Sequence, residues 1–165
     1  MIVYLSIGSN LGNRLDNIAE ALKKLGTILN TKIKRASDIY ETEPVGNVYQ
    51  PIFLNIAVEI ETELNPLELL REIKKIEYEL GRTSQERWGP RVIDIDIIFY
   101  DDVCINDKQL VLPHAEFRKR RFVLQPLADL CGSKIDPITG KTIEELLLSP
   151  EVEGKVVRTN LMVTP

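Results

Sequence analysis

The sequence predicts an α+β fold in which helices pack on an antiparallel sheet, and three observations lead to this prediction. Short apolar runs that alternate with polar residues indicate strands, and two segments with apolar residues at helical spacing indicate helices between them. Polar cap residues and glycines bound both helical segments. The chain of 165 residues, of which 44% are apolar, is long enough for one sizeable core, so a single domain over residues 1–165 is expected.

The first unit of the predicted sheet is a strand, a helix and a second strand. Residues 2–7 are apolar and lead into a glycine-containing turn, which indicates a strand. Asn13 fits the N-cap of a helix that ends at Gly26, with apolar residues at helical spacing between them. Residues 33–41 are predicted to form the second strand.

The second unit is again a strand, a helix and a strand. Residues 53–61 alternate between the two faces of a strand. Asn65 fits the N-cap of the second helix, with Pro66 at the first helical position and Glu68 at the capping-box position. Residues 92–100 are predicted to form the fourth strand.

This order of elements, β-α-β-β-α-β, is typical of a ferredoxin-like fold, in which the helices lie on one face of an antiparallel sheet. Residues 101–165 are predicted to be a C-terminal extension, with a turn at residues 137–140 and a helix at residues 144–148.

Composition limits the classes of function. The net charge of -4 gives no general attraction to nucleic acid or to an anionic membrane surface. No apolar run approaches the roughly 20 residues of a membrane-spanning helix, and the two cysteines lack the spacing of a zinc site. The expectation is a cytoplasmic monomer with neither nucleic acid nor a membrane as a partner.

Asp94 and Asp96 are the strongest functional signal. They alternate with isoleucines on the predicted fourth strand, so both carboxylates lie on one face, about 6–7 Å apart. Such a pair suits Mg²⁺, which binds few protein carboxylates and keeps positions for water and phosphate. A merely solvated face is the alternative, but aspartate is a poor strand former. The pair therefore predicts a magnesium-dependent phosphoryl-transfer enzyme.

Two basic segments could bind the phosphates of a substrate. The loop before the fourth strand carries Arg82, Arg87 and Arg91 around Trp88, and arginine is suited to bidentate binding of phosphate. Residues 118–121 form a basic run that is interpreted as a local anion site. For both segments, simple solvation of an exposed surface is the alternative.

Phe53 and Asn55 share one face of the predicted third strand. An aromatic ring for stacking and an amide for hydrogen bonds would suit a flat heterocycle. A packed phenylalanine and an internally bonded asparagine are the alternative interpretation.

Five segments match motifs of one enzyme family, in order from residue 1 to about 130. They are GSNLGN at 8–13, EPVG at 43–46, FLN at 53–55, RWGPR with DID at 87–96, and VLPH at 111–114. Together they resemble 6-hydroxymethyl-7,8-dihydropterin pyrophosphokinases, and the fourth segment is the most specific. That family transfers pyrophosphate from ATP to the hydroxymethyl group of a reduced pterin, in folate biosynthesis.

The resemblance implies a role for individual residues. Asp94 and Asp96 would bind two magnesium ions, and Arg82 and Arg91 would assist catalysis, with ATP as the co-substrate. The implied pterin-binding residues are Thr42, Pro44, Val45, Gly46, Phe53, Asn55 and Phe122. The implied ATP-binding residues are Glu77, Trp88, Arg91, Ile97, His114 and Arg120. Ser84, Gln109 and Val111 differ from the residues that some relatives carry at ATP-contacting positions.

Two other classes of function stay open from the residues alone. A magnesium-dependent nucleotide phosphohydrolase would share the aspartates and arginines but would need no slot for a heterocycle. A non-catalytic ferredoxin-like module that binds a small ligand would not depend on magnesium.

Overall fold

The computed structural model describes residues 1–44, 49–81 and 90–164. Its strands are β1 (Ile2–Ser9), β2 (Thr31–Ala36), β3 (Tyr40–Thr42), β4 (Phe53–Thr62), β5 (Asp94–Tyr100), β6 (Ile105–Asn106), β7 (Val111–Leu112) and β8 (Val156–Arg158). Its helices are α1 (Arg14–Leu25), α2 (Pro66–Glu79), α3 (Arg121–Cys131) and α4 (Ile143–Leu147), with a short 3₁₀ helix at Phe117–Lys119.

Within the described residues, the main sheet is antiparallel and has six strands. Its order is β5-β1-β4-β3-β8, and β2 pairs with the other half of β4. The end of β1 meets the starts of β4 and β5, so that Gly8 lies opposite both Asn55 and Asp94. This end of the sheet therefore brings together residues from three separate parts of the sequence.

Helices α1 and α2 begin as their caps predict. The Asn13 side chain accepts a hydrogen bond from the backbone N–H of Asp16, and Asn65 forms a reciprocal capping box with Glu68. Both helices pack their apolar faces on the sheet side that carries alternate residues of β4, from Leu54 to Ile60. The predicted ferredoxin-like α+β fold is confirmed.

The prediction of one strand over residues 33–41 is wrong, because the chain breaks between β2 and β3. The Ser37 hydroxyl accepts a hydrogen bond from the backbone N–H of Ala57, at 2.8 Å, in place of a backbone carbonyl. The register along β4 changes there, with Ala36 opposite Val58 but Tyr40 opposite Asn55. The break gives β3 its own alignment with the start of β4.

The C-terminal extension covers the second face of the sheet, although the sequence predicted helices on one face only. Helices α3 and α4 pack there on Phe99, Phe117 and neighbouring apolar residues in a second core. Helix α3 was not predicted, and Pro126 inside it hides its helical pattern. Strand β8 adds to the edge of the sheet beside β3. None of the described helices is long and apolar enough to cross a membrane.

Candidate active site

A cavity of about 540 Å³ lies at the end of the sheet where β1, β4 and β5 meet. The predicted site residues that line it are Thr42, Phe53, Asn55, Arg91, Asp94, Asp96, Ile97, His114, Arg120 and Phe122. Pro44 and Glu77 are described but do not line it. Val45, Gly46, Arg82, Arg87 and Trp88 lie outside the described residues.

The two aspartates reach the cavity from the start of β5. Their neighbours across β1 are Gly8, opposite Asp94, and Ser6, opposite Asp96, so the facing positions on β1 carry small residues. Ile95 between them belongs to the main core. The alternation of the strand thus places both carboxylates toward the cavity, as the sequence predicted.

Negative charge accumulates around Asp96. Burial, followed by the charges of Asp94 and Glu77, raises the pKa of the Asp96 carboxyl, while Arg120 and Lys74 oppose this shift. Its side chain keeps 36% of its surface exposed, so its oxygens are accessible from the cavity. Because burial and neighbouring negative charges disfavour the ionised form of this carboxyl, a bound cation would be favoured here.

The donor set fits magnesium. The described residues contain no cluster of three or more His, Cys, Asp or Glu side chains that could enclose a metal ion. Magnesium is commonly bound by one or two carboxylates together with water and substrate phosphates. Asp94 and Asp96, on the wall of an open cavity, provide such a partial set of hard oxygen ligands.

Glu77 supports β5 from beneath the cavity. It is buried in α2, and its Oε2 accepts a hydrogen bond from the backbone N–H of Ile95 at 3.0 Å. Its Oε1 lies 3.3 Å from the Lys74 ammonium, which does line the cavity. Sequence reasoning missed Lys74, although its position three residues before Glu77 places both on one helix face.

His114 provides a neutral hydrogen-bond donor. Its Nδ1 accepts the backbone N–H of Glu116 at 3.1 Å, so the proton of the neutral ring lies on Nε2. Nε2 lies 4.0 Å from Asp96 Oδ2. Burial, with help from the Arg120 charge, lowers the pKa of His114 to about 4, so the ring is uncharged at neutral pH.

The other half of the cavity combines an aromatic ring with a fixed amide. Asn55 Nδ2 donates to the Thr42 hydroxyl at 2.6 Å, and both residues are buried. Phe53 lies at the start of β4, opposite Thr42 on β3, and Phe122 lies at the start of α3. The Arg120 guanidinium lies 5.7 Å from the centre of the Phe122 ring. This arrangement can hold a flat ring by stacking and by hydrogen bonds to its edge.

The interpretation of residues 118–121 as one anion site is wrong for two of its arginines. Arg118 forms two hydrogen bonds with the fully buried Asp136, at 2.6 and 3.0 Å. Arg121 donates to the backbone carbonyls of Val152 and Gly154. Of the three arginines in this run, Arg120 alone lines the cavity, because the other two are held by these contacts.

Several further residues line the cavity without having been predicted. Gln50, Gln109, Leu110 and Glu116 are among them. Gln109 and Val111, which depart from some relatives, both lie on the wall, in or next to the small β6-β7 sheet. Their positions follow from this hairpin, which the sequence pattern did not reveal.

Comparisons with known proteins point to one family. The family model for 7,8-dihydro-6-hydroxymethylpterin-pyrophosphokinase matches residues 4–132. A Bacillus subtilis 2-amino-4-hydroxy-6-hydroxymethyldihydropteridine pyrophosphokinase is 46% identical over 130 residues, which are 79% of this chain and 78% of the relative. A Methylorubrum extorquens protein of the same name is 42% identical, over 92% of this chain and 94% of the relative.

Solved structures show the same fold. A crystal structure of Plasmodium falciparum HPPK-DHPS matches 88% of this chain with a TM-score of 0.72 at 20% identity. This chain spans 44% of that longer protein. The family match covers most of the chain and includes the cavity residues from Thr42 to Phe122. The chain belongs to the 7,8-dihydro-6-hydroxymethylpterin-pyrophosphokinase family.

Proposed function

We propose that this protein transfers pyrophosphate from ATP to the hydroxymethyl group of 6-hydroxymethyl-7,8-dihydropterin, yielding AMP and the pterin diphosphate in folate biosynthesis. The observation that carries the proposal is a single cavity that contains both a carboxylate pair and an aromatic, amide-bearing slot. A nucleotide phosphohydrolase would need only the first of these features. A transferase needs both, because two substrates must meet in one site.

The pterin is assigned to the half of the cavity formed by β3, β4 and the start of α3. Phe53 and Phe122 would contact the faces of the ring, and Asn55 and Thr42 would bind its edge. The 2.6 Å hydrogen bond between Asn55 and Thr42 fixes the amide before any ligand arrives. A fixed amide loses little conformational freedom on binding, which favours selective recognition.

ATP is assigned to the half formed by β5, β7 and the segment that contains His114. Lys74, Arg91 and Arg120 place positive charge around the cavity. Phosphoryl transfer depends mainly on positioning and on compensation of charge, so such cations stabilise the transferred group. His114, which is neutral, would donate a hydrogen bond from Nε2 without adding charge. Ile97 would contribute an apolar contact.

Asp94 and Asp96 would hold magnesium, with two ions as the proposed number. Bound magnesium would neutralise phosphate charge and help to align the phosphates for in-line transfer. The protein's contribution is to present both carboxylates on a rigid strand, whose backbone Glu77 holds through Ile95. The family resemblance further supports Arg82 as a contact of the phosphates and Trp88 as a contact of ATP. It also supports Pro44, Val45 and Gly46 as backbone contacts of the pterin.

The wider proposals follow from the same family. Residues 1–165 are proposed to act as one catalytic domain, since both cores share one sheet. We also propose a cytoplasmic monomer whose partners are its two small substrates rather than nucleic acid or a membrane. Sedimentation of the purified protein would test the monomer directly.

Two carboxamide variants test the metal assignment. Asp94→Asn and Asp96→Asn should each lower turnover at saturating magnesium by at least about 1,000-fold, because each removes a metal ligand from a two-ligand set. Each should leave the metal-free fold at least as stable as the wild type, because each removes one of two neighbouring like charges.

The matched control is Asp102→Asn. The Asp102 side chain is 80% exposed and pairs with Lys134, and neither residue lines the cavity, so this variant should keep wild-type turnover. Near-normal turnover in either Asp94→Asn or Asp96→Asn would contradict the assignment.

A further inference from the structure

Asn10 joins two chain segments that approach the cavity from different parts of the sequence. It follows the last residue of β1 and is 2% exposed. On one side lies the segment that leads from Gln50 into Phe53, and on the other lies Arg91, just before β5. Sequence reasoning gave Asn10 no role beyond membership of a motif.

The hydrogen bonds of Asn10 divide evenly between these segments. Its backbone N–H donates to the Arg91 carbonyl at 3.0 Å, and its Oδ1 accepts the Arg91 N–H at 2.7 Å. Its Nδ2 donates to Gln50 Oε1 and to the Pro51 carbonyl, both at 2.9 Å. Both protons of the amide nitrogen are therefore used.

The orientation of this amide is fixed by backbone groups. The Arg91 N–H can only donate, so the atom facing it must be Oδ1. The Pro51 carbonyl can only accept, so the atom facing it must be Nδ2. No other residue type of this length has an acceptor and two donors in this geometry. Aspartate would keep the bond from Arg91 and lose both bonds on the Pro51 side.

Asn10 itself does not line the cavity, whereas Gln50, Phe53 and Arg91 do. It therefore acts through other residues. We propose that Asn10 is a positioning residue that couples pterin binding to the placement of Arg91. A ligand that orders one of the two segments lowers the cost of ordering the other, because one buried amide connects them. This inference rests on the proposed function and deepens it.

The test is a thermodynamic cycle on the full chain. The probes are 6-hydroxymethyl-7,8-dihydropterin and a non-hydrolysable ATP analogue with magnesium. Calorimetry gives the Kd of the pterin with and without saturating analogue, and the ratio of the two values is the coupling factor. In the wild type the analogue should tighten pterin binding by about fivefold or more. In Asn10→Ala the coupling factor should approach one, and kcat should fall about 10- to 100-fold.

The chain offers a matched control in Asn17→Ala. The Asn17 amide supports the same turn, donating to the Ser9 hydroxyl at 3.1 Å and to the Leu11 carbonyl at 2.8 Å. Neither of these bonds reaches Arg91 or the segment from Gln50 to Phe53, so the loss of the Asn17 amide should lower stability while the coupling factor and kcat stay within about twofold of the wild type. A purely structural role for Asn10 would make the two variants alike.

If Asn10→Ala does not fold, variants of Gln50 test the same coupling. Gln50→Leu removes one acceptor of the Asn10 amide from a partly exposed position, and it should lower the coupling factor. Gln50→Glu keeps an acceptor oxygen and should restore it. The proposal is overturned if a folded Asn10→Ala or Gln50→Leu retains the wild-type coupling factor, or if Asn17→Ala loses as much. Failure of the wild type to form AMP would instead refute the proposed function.

Discussion

Replacing Gly8 by alanine should damage the pterin side of the cavity while leaving its metal side in place. Gly8 lies on β1 between Asn55 on β4 and Asp94 on β5. A Cβ at this position would stand 2.4 Å from Asn55 Oδ1 and 3.3 Å from its Cγ. Because the Asn55 side chain is buried and bonded to Thr42, it can only relieve the overlap by moving away from its present position.

The size of the effect follows from these contacts. Overpacking a buried site costs roughly 1–3 kcal/mol, and loss of the buried hydrogen bond between Asn55 and Thr42 costs about 1–3 kcal/mol. We therefore expect Gly8→Ala to lower the free energy of unfolding by about 2–6 kcal/mol. Loss of one hydrogen bond to the pterin, about 1–2 kcal/mol, would raise its Kd about 5- to 30-fold.

Urea unfolding and calorimetric titration with the pterin measure both quantities. Gly26→Ala is the matched control, because Gly26 has a φ of -66° and a Cβ there would make only ordinary contacts at 3.5 and 3.6 Å. That change should leave pterin binding intact and stabilise the protein by about 0.4–1 kcal/mol. If Gly8→Ala matched the wild type in both stability and pterin affinity, the reasoning about Asn55 would be refuted.

Two further predictions concern residues away from the cavity. Arg118→Ala should lower stability by about 3–5 kcal/mol, because it strips the buried Asp136 of its charged partner. The activity of Arg118→Ala per folded molecule should not change. As a control, Lys119→Ala, at an exposed position, should change neither stability nor activity. An Arg118→Ala protein that is stable but inactive would contradict this prediction. Burial raises the pKa of the Cys131 thiol to about 12, whereas Cys104 is exposed, so a thiol reagent at pH 8 should modify one cysteine in the native protein and two in denaturant. Rapid modification of both in the native state would show that the second core is not closed.

Local signals in the sequence were sufficient for most of the ferredoxin-like core. The caps at Asn13 and Asn65 depend on residues only three positions away, so the sequence alone specifies them. The two faces of β5 follow from alternation, which placed Asp94 and Asp96 on the same side as the cavity. These features need no knowledge of distant contacts.

Features that depend on distant partners were not predictable. The break at Ser37 is stabilised by Ala57 on another strand, and the structural role of Arg118 depends on Asp136. Helix α3 contains Pro126, which conceals it in the sequence, and it packs on the second face of the sheet. Asn10 shows the same limit, since its role is visible only when its contacts with Gln50 and Arg91 are known.

Pyrophosphoryl transfer between two substrates in one cavity is tested most directly by the identity of the adenine nucleotide product. Purified protein with magnesium and ATP should release AMP only when 6-hydroxymethyl-7,8-dihydropterin is present, in equal amounts with the pterin diphosphate. Chromatography of the nucleotides measures AMP and ADP in the same sample. Release of ADP, or release of AMP at the same rate without the pterin, would contradict the account.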